Sequence, residues 1–281
     1  MPVARSWEED EKAPELQRIY AEVRANFDLP FVPTFFKLLS GFPEYLRVMW
    51  GDLGPVARSR EFQTAGKAME EFVRSLVISG GWQIFDQQRV LAGQRFSAND
   101  IEQLGSIATT FARITARLTL FARLMQKGYS GGQPGRVNNG RQVSGLARLV
   151  TLHVPDESAA GLRAWLIYAD IKRTLEVRHV FSLYRVLSPF PGYLASFWLD
   201  SKRLFHDANV LQARDQTAKR AGGLIVGLPV KDHRAALRQL DAGQWREIEQ
   251  LVDNYARLMP QLALLSVTWQ RSLAVAGPIA A

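Results

Sequence analysis

Few residues in this chain could carry bond-breaking chemistry. Cysteine is absent, which excludes thiolate nucleophiles, Cys-ligated zinc, iron–sulfur clusters and disulfides together. The histidines are His153, His179, His206 and His233. No two of them fall at helical i,i+4 spacing and no His-Glu-x-x-His occurs, so a zinc hydrolase is not indicated and no metal is expected. No Gly-x-Ser-x-Gly elbow is present. Gly222-Gly-Leu-Ile-Val-Gly227 is glycine-rich but lacks the Lys-Ser/Thr of a phosphate loop, and reads as a turn between helices. What remains is a pair of hydroxyls, Thr34 and Ser182, in matching surroundings. A hydroxyl so placed either caps a helix or touches a ligand, and both readings stay open.

The surroundings match because the chain states one stretch twice. Displaced by 148 residues, 19–52 falls on 167–200 without a gap, and 12 of the 34 pairs are identical. Roughly two would be expected from average composition. Among the identities are Phe42/Phe190, Pro43/Pro191, Tyr45/Tyr193, Leu46/Leu194, Trp50/Trp198 and Asp52/Asp200. Ile101-Glu-Gln-Leu104 returns as Ile248-Glu-Gln-Leu251. A period this long is a duplicated half-domain rather than a solenoid, whose repeats run about 20–50 residues.

Helices must position these residues. Leu16, Ile19, Tyr20, Val23 and Phe27 recur at helical spacing. Pro30 and Pro33 then break the chain before a short apolar helix over 34–40. Pro43 suits the first turn of the next helix, which Gly54-Pro55 should end. Helices follow over 61–78 and, from an N-cap at Ser97, over 100–125. The stretch 129–140, rich in Gly, Pro and Asn, reads as a surface linker. The second half repeats the order: 160–175, 180–188, 191–205, 209–221, 229–240, 244–258 and 259–275. Period-two alternation is scarce. The expected fold is all-α, two pseudo-twofold related helical repeats around a central cavity: repeat one over 1–128, linker over 129–157, repeat two over 158–281.

The chain has 281 residues, 47% hydrophobic and 22% charged, within the globular range. No run of about 18 apolar residues occurs and the first ten residues are polar, so no membrane segment is expected and a cytoplasmic protein is. The net charge is +8, which favours an anionic partner. The basic residues are dispersed, without aromatic interleaving, which disfavours nucleic acid. A small organic acid, held in the groove between the repeats, uses this charge better.

The pattern Leu29-Pro-Phe-Val-Pro-Thr-Phe-Phe-Lys-Leu-Leu, then Phe42-Pro43, Tyr45-Leu46 and Trp50, with its second copy Tyr184-Arg-Val-Leu-Ser-Pro-Phe-Pro-Gly-Tyr-Leu194, resembles the group I 2-haloacid dehalogenases, which handle both D- and L-2-haloacids. The resemblance covers most of the chain. It implies an all-α homodimer, no cofactor, and hydrolysis without a covalent ester: an Asp activates water, an Asn helps hold it, and water displaces halide with inversion. The Asp position is Leu183 here and the Asn position is Thr115. The pocket walls implied are Phe31, Thr34, Phe181 and Ser182. Leucine cannot accept a proton, and the carboxylates nearest in sequence are Asp170 and Glu176. Two readings follow: a hydrolase of small 2-substituted carboxylic acids with a displaced base, or a non-catalytic relative that binds a small apolar carboxylate.

Overall fold

The computed structural model describes residues 13–85, 87–94, 96–137, 152 and 154–276. Most of those residues are helical, and among them Gln133 and Val230 form an isolated antiparallel bridge. The helices are α1 (Pro14–Phe27), α2 (Thr34–Leu39), α3 (Pro43–Arg58), α4 (Arg60–Gly80), α5 (Gln87–Gly93) and α6 (Ala98–Tyr129). After a 3-10 turn at Glu157–Ala159 come α7 (Leu162–Leu175), α8 (Ser182–Arg185), α9 (Pro191–His206), α10 (Ala208–Leu224), α11 (His233–Ala236) and α12 (Ala242–Ala276). His153 and residues 138–151 of the expected linker lie outside the described residues.

Local sequence explains most boundaries. Pro43 and Pro191 open α3 and α9 at the first turn, each behind a phenylalanine, Phe42 or Phe190, in a non-helical conformation. Ser97 and Asp100 form a capping box at the start of α6. Gly81, at φ 65°, closes α4 in the left-handed region.

Three sequence expectations are corrected. Gly54-Pro55 does not stop α3, which continues to Arg58. The helical hydrogen bond lost at Pro55 is offset by burial of Val56 and Ala57 in the next turn. Pro260 likewise does not divide the last helix; α12 runs unbroken from Ala242 to Ala276. Residues from Met259 through Trp269 are buried around it, so packing overrides a local penalty of roughly 3 kcal/mol. The expected helix over 229–240 is only the single turn α11, because Val230 spends its backbone groups on Gln133.

The two long helices α6 and α12 pack along one another and form the spine. Around it, the halves hold each other by matching ties. The Asp52 carboxylate, in α3, accepts from the Lys231 backbone N–H (2.8 Å) and contacts the His233 imidazole (3.0 Å). Asp200, its counterpart in α9, accepts from the backbone N–H of Phe85. Within each part of the chain, Trp50 donates to Glu22 and Trp198 to Asp170, both at 2.8 Å.

Candidate functional site

The short helices α2 and α8 meet head to head. Thr34 and Ser182 are each the first residue of their helix, and their hydroxyls lie 2.8 Å apart, hydrogen-bonded to each other. The Thr34 backbone N–H also donates to Ser182 Oγ (3.1 Å). Neither hydroxyl caps its own helix. Ser182 instead satisfies the free N–H at the start of the opposite one, which local pattern could not foresee.

Behind this pair sits Arg185, buried despite its charge. Its Nη1 donates to Thr34 Oγ1 (3.2 Å), its Nε to the Pro155 carbonyl (2.8 Å) and its Nη2 to Asp156 (2.6 Å). The guanidinium is thus matched by one carboxylate and two neutral acceptors, as a buried charge requires.

The hydroxyl pair opens on a small cavity of about 30 Å³. Phe31, Thr34, Thr115, Phe181, Ser182 and Leu183, the positions singled out from sequence, all line it. Phe35, Phe111, Tyr255, Met259 and Leu262 contribute further wall. All of these are buried except Phe181, which is half-buried and so forms the rim. Thr115 donates its hydroxyl hydrogen to the Phe111 carbonyl one turn earlier (2.7 Å), which leaves it an acceptor toward the cavity. A wider surface depression of about 380 Å³ beside Phe85, Arg89 and Gln94 includes none of the six positions.

Sequence reasoning missed Tyr255 and Arg185. The Tyr255 ring stacks on Phe35 with centroids 3.8 Å apart and planes within 14°. Burial alone pushes its phenol far above the ordinary range, which keeps it a neutral hydroxyl. Arg185 replaces Lys37 in the repeated stretch, and nothing in that exchange marks the arginine as buried.

No side chain lining the cavity is a carboxylate, an imidazole or an amine. Asp170, one of the two carboxylates considered from sequence, accepts from Trp198, Lys202 and Arg173 and is held down to about 2, chiefly by the Trp198 and Lys202 bonds. Glu176 caps α7 at φ 56°. Neither lines the cavity, and neither do His179, His206 and His233. Among the described residues no cluster of His, Asp and Glu could hold a metal ion, and no helix is long and apolar enough to cross a membrane.

The curated relatives include an (R)-2-haloacid dehalogenase of Pseudomonas putida, 23% identical over 275 residues, covering 89% of this chain and 86% of that protein. Another is an (R)-2-haloacid dehalogenase of Rhizobium sp. (strain NHG3), 24% identical over 241 residues, with 82% and 90% coverage. Among solved structures, a D-2-haloacid dehalogenase mutant in complex with D-2-CPA superimposes with a TM-score of 0.83 at 21% identity, over 94% of each chain. The complex of a D-2-haloacid dehalogenase with L-LA gives the same TM-score at 20% identity. The all-α fold is therefore shared with these proteins. The family model of halocarboxylic acid dehydrogenase DehI matches residues 30–184, which include α2, α8 up to Tyr184 and both hydroxyls. By a match spanning more than half of its length, the chain belongs to the family of halocarboxylic acid dehydrogenase DehI.

Proposed function

We propose that this protein is a dehalogenase relative that encloses a small, mostly apolar 2-substituted acid between its halves without hydrolysing it. One observation carries the reading: the cavity contains hydroxyls and hydrocarbon but no group that takes a proton at neutral pH. Displacement of halide by water needs a general base within hydrogen-bond reach of that water. Leu183 stands where the family resemblance implies the base, with its side chain in the cavity wall and 2% exposed. Thr115 stands where the resemblance implies the water-holding Asn, and its hydroxyl hydrogen is already committed to Phe111.

The cavity is also the kind of site that two stacked repeats create. Six helices of the first half recur in order in the second, and the closest match brings Thr34 against the residue 148 positions later. We read the halves as a duplication, with the ligand at its axis. A homodimer in the cytoplasm accords with the resemblance.

The test is halide release from D- and L-2-chloropropionate by the wild type and Leu183→Asp side by side. The expected result is a silent wild type. Restoring a base to an intact pocket should raise turnover, since removing one commonly costs about 10²–10⁴-fold. Turnover by the wild type sinks the non-hydrolytic reading in favour of a displaced base.

A further inference from the structure

The exposed large apolar side chains among the described residues include four on one side of the second half. They are Leu162, Trp165 and Leu166 on α7 and Leu199 on α9, between 55% and 75% exposed. The repeated stretch supplies a control for them. At the same displacement of 148 residues their counterparts are Pro14, Gln17, Arg18 and Gly51, and these are exposed as well. Leu162 and Pro14 each open their helix, so the register is the same in both copies. One outer face of the fold is thus polar or bare in the first half and apolar in the second. The fold itself does not require leucine and tryptophan in solvent there.

Leu199 stands at the middle of this face. On one flank of α9, Trp198 and Lys202 reach Asp170 of α7. On the other flank, Gly192 abuts Gln94, Asp200 accepts from the Phe85 N–H, and Arg203 donates to the Gln83 carbonyl. At 3.6 residues per turn, Leu199 falls between the two flanks and points outward. To one side of it the α7 side chains project. To the other side lies the depression of about 380 Å³ lined by Phe85, Val90 and Gly93, within the range of about 300–1,000 Å³ that receives a group of several rings. A projection and a hollow on opposite sides of one ridge are what a twofold interface needs, because each copy must offer both parts to the other.

The area agrees. The four side chains leave about 500 Å² uncovered, near the upper end of the ~300–600 Å² of the largest apolar patch on an ordinary monomer. Two copies would withdraw about 1,000 Å² from these residues alone, and a polar rim brings that into the range of about 1,200–2,000 Å² for specific interfaces.

Resting on the homodimer reading, we infer that a second copy of this chain covers this face, with Leu199 meeting Leu199 at the twofold axis and Trp165 of each copy seated in the other's depression. The first half then stays free of the interface.

Sedimentation equilibrium of the full chain over about 1–100 μM tests this. The wild type should run at twice the chain mass of 31.6 kDa. Leu199→Glu, Trp165→Glu and Gly93→Glu should each weaken the dimer by roughly 100-fold, the scale of a charge placed at an apolar interface centre. All three positions are exposed, and a Cβ at Gly93 meets nothing within 4 Å, so thermal unfolding should confirm folded monomers. Gln17→Glu, at the counterpart of Trp165, should remain dimeric. The chain has no cysteine, so Leu199→Cys carries a single thiol. A short bismaleimide should join two copies of it and should not join Gly51→Cys. A monomeric wild type overturns the inference and the homodimer reading together. A dimer that survives all three glutamates overturns the face and leaves the homodimer standing. Loss of the dimer in Leu199→Glu and Trp165→Glu, but not in Gly93→Glu, overturns the seating of the indole. A dimer whose Leu199→Cys form does not cross-link overturns the position of the axis.

Discussion

Arg185 is the residue on which the site's polarity depends. Its guanidinium joins three places distant in sequence: the Pro155 carbonyl, Asp156 and Thr34. Replacing it with Met keeps much of the side-chain volume but leaves the Pro155 carbonyl and the Thr34 hydroxyl without their donor. Asp156 is partly exposed and can turn to water. Arg185→Met should therefore destabilise by about 2–3 kcal/mol, at the lower end of the range for breaking a buried charge pair, as read from urea unfolding. None of this was legible in the sequence. Thr34 and Ser182 stood out because the pattern repeats around them, yet a repeat reveals equivalence and not contact. Tyr255 sits in an apolar helical run where any aromatic reads as core. The six wall positions were legible only through the repeated stretch and the family resemblance, while a buried arginine and a buried phenol carry no one-dimensional signature.

At the scale of elements, helices were readable and their stops were not. The absence of period-two alternation identified an all-α chain, and proline at the first turn located α3 and α9. Pro55 and Pro260 misled because each lies where the following turn is buried, and burial there outweighs the missing hydrogen bond. The same packing makes a specific demand on the α6–α11 crossing. A Cβ added at Gly128 would come within 2.3 Å of Nδ1 of His233, whose ring is fully buried. Gly128→Ala should cost about 1–3 kcal/mol through that overlap, despite the better helix propensity of alanine. Gly51 is the control: a Cβ there meets nothing within 4 Å, so Gly51→Ala should be neutral or stabilising in the same denaturation assay.

For the whole molecule, the ties that hold neighbouring layers together are carboxylates, and this sets how the protein meets acid. Asp170 gathers Trp198, Lys202 and Arg173 around one side chain and joins α7 to α9. These bonds hold its carboxyl down to about 2, below the value of about 3.9 expected in the unfolded chain. A depressed folded value contributes stability that is present above about pH 4 and is lost as pH falls toward 2. Melting temperatures of wild type and Asp170→Asn should accordingly converge across that window, with the wild type higher at pH 5. Equal separation at pH 5 and pH 2 would show that the cluster does not couple to folding. The fold class was legible at this scale, whereas the reciprocal reach of Asp52 and Asp200 into opposite halves was not, because pattern matching along a chain is blind to which half a side chain enters.

The Thr34–Ser182 bond joins a position to its own counterpart. In an ancestor made of one such half pairing with a second copy, that position would have faced itself. Among polar residues, only one able to bond with its own kind could sit there without repulsion. A hydroxyl can do so, since it both gives and takes a proton, whereas two carboxylates at that distance would have to share one. On the proposed duplication, fusion into a single chain would lift that rule, because the two sites could then mutate separately. The next pair along has already parted, into Phe35 on one side and Leu183 on the other. An asymmetric reaction centre, with a base on one face only, is open to the fused chain and closed to the paired ancestor. This protein keeps the self-meeting hydroxyls and has a hydrocarbon on both faces beside them.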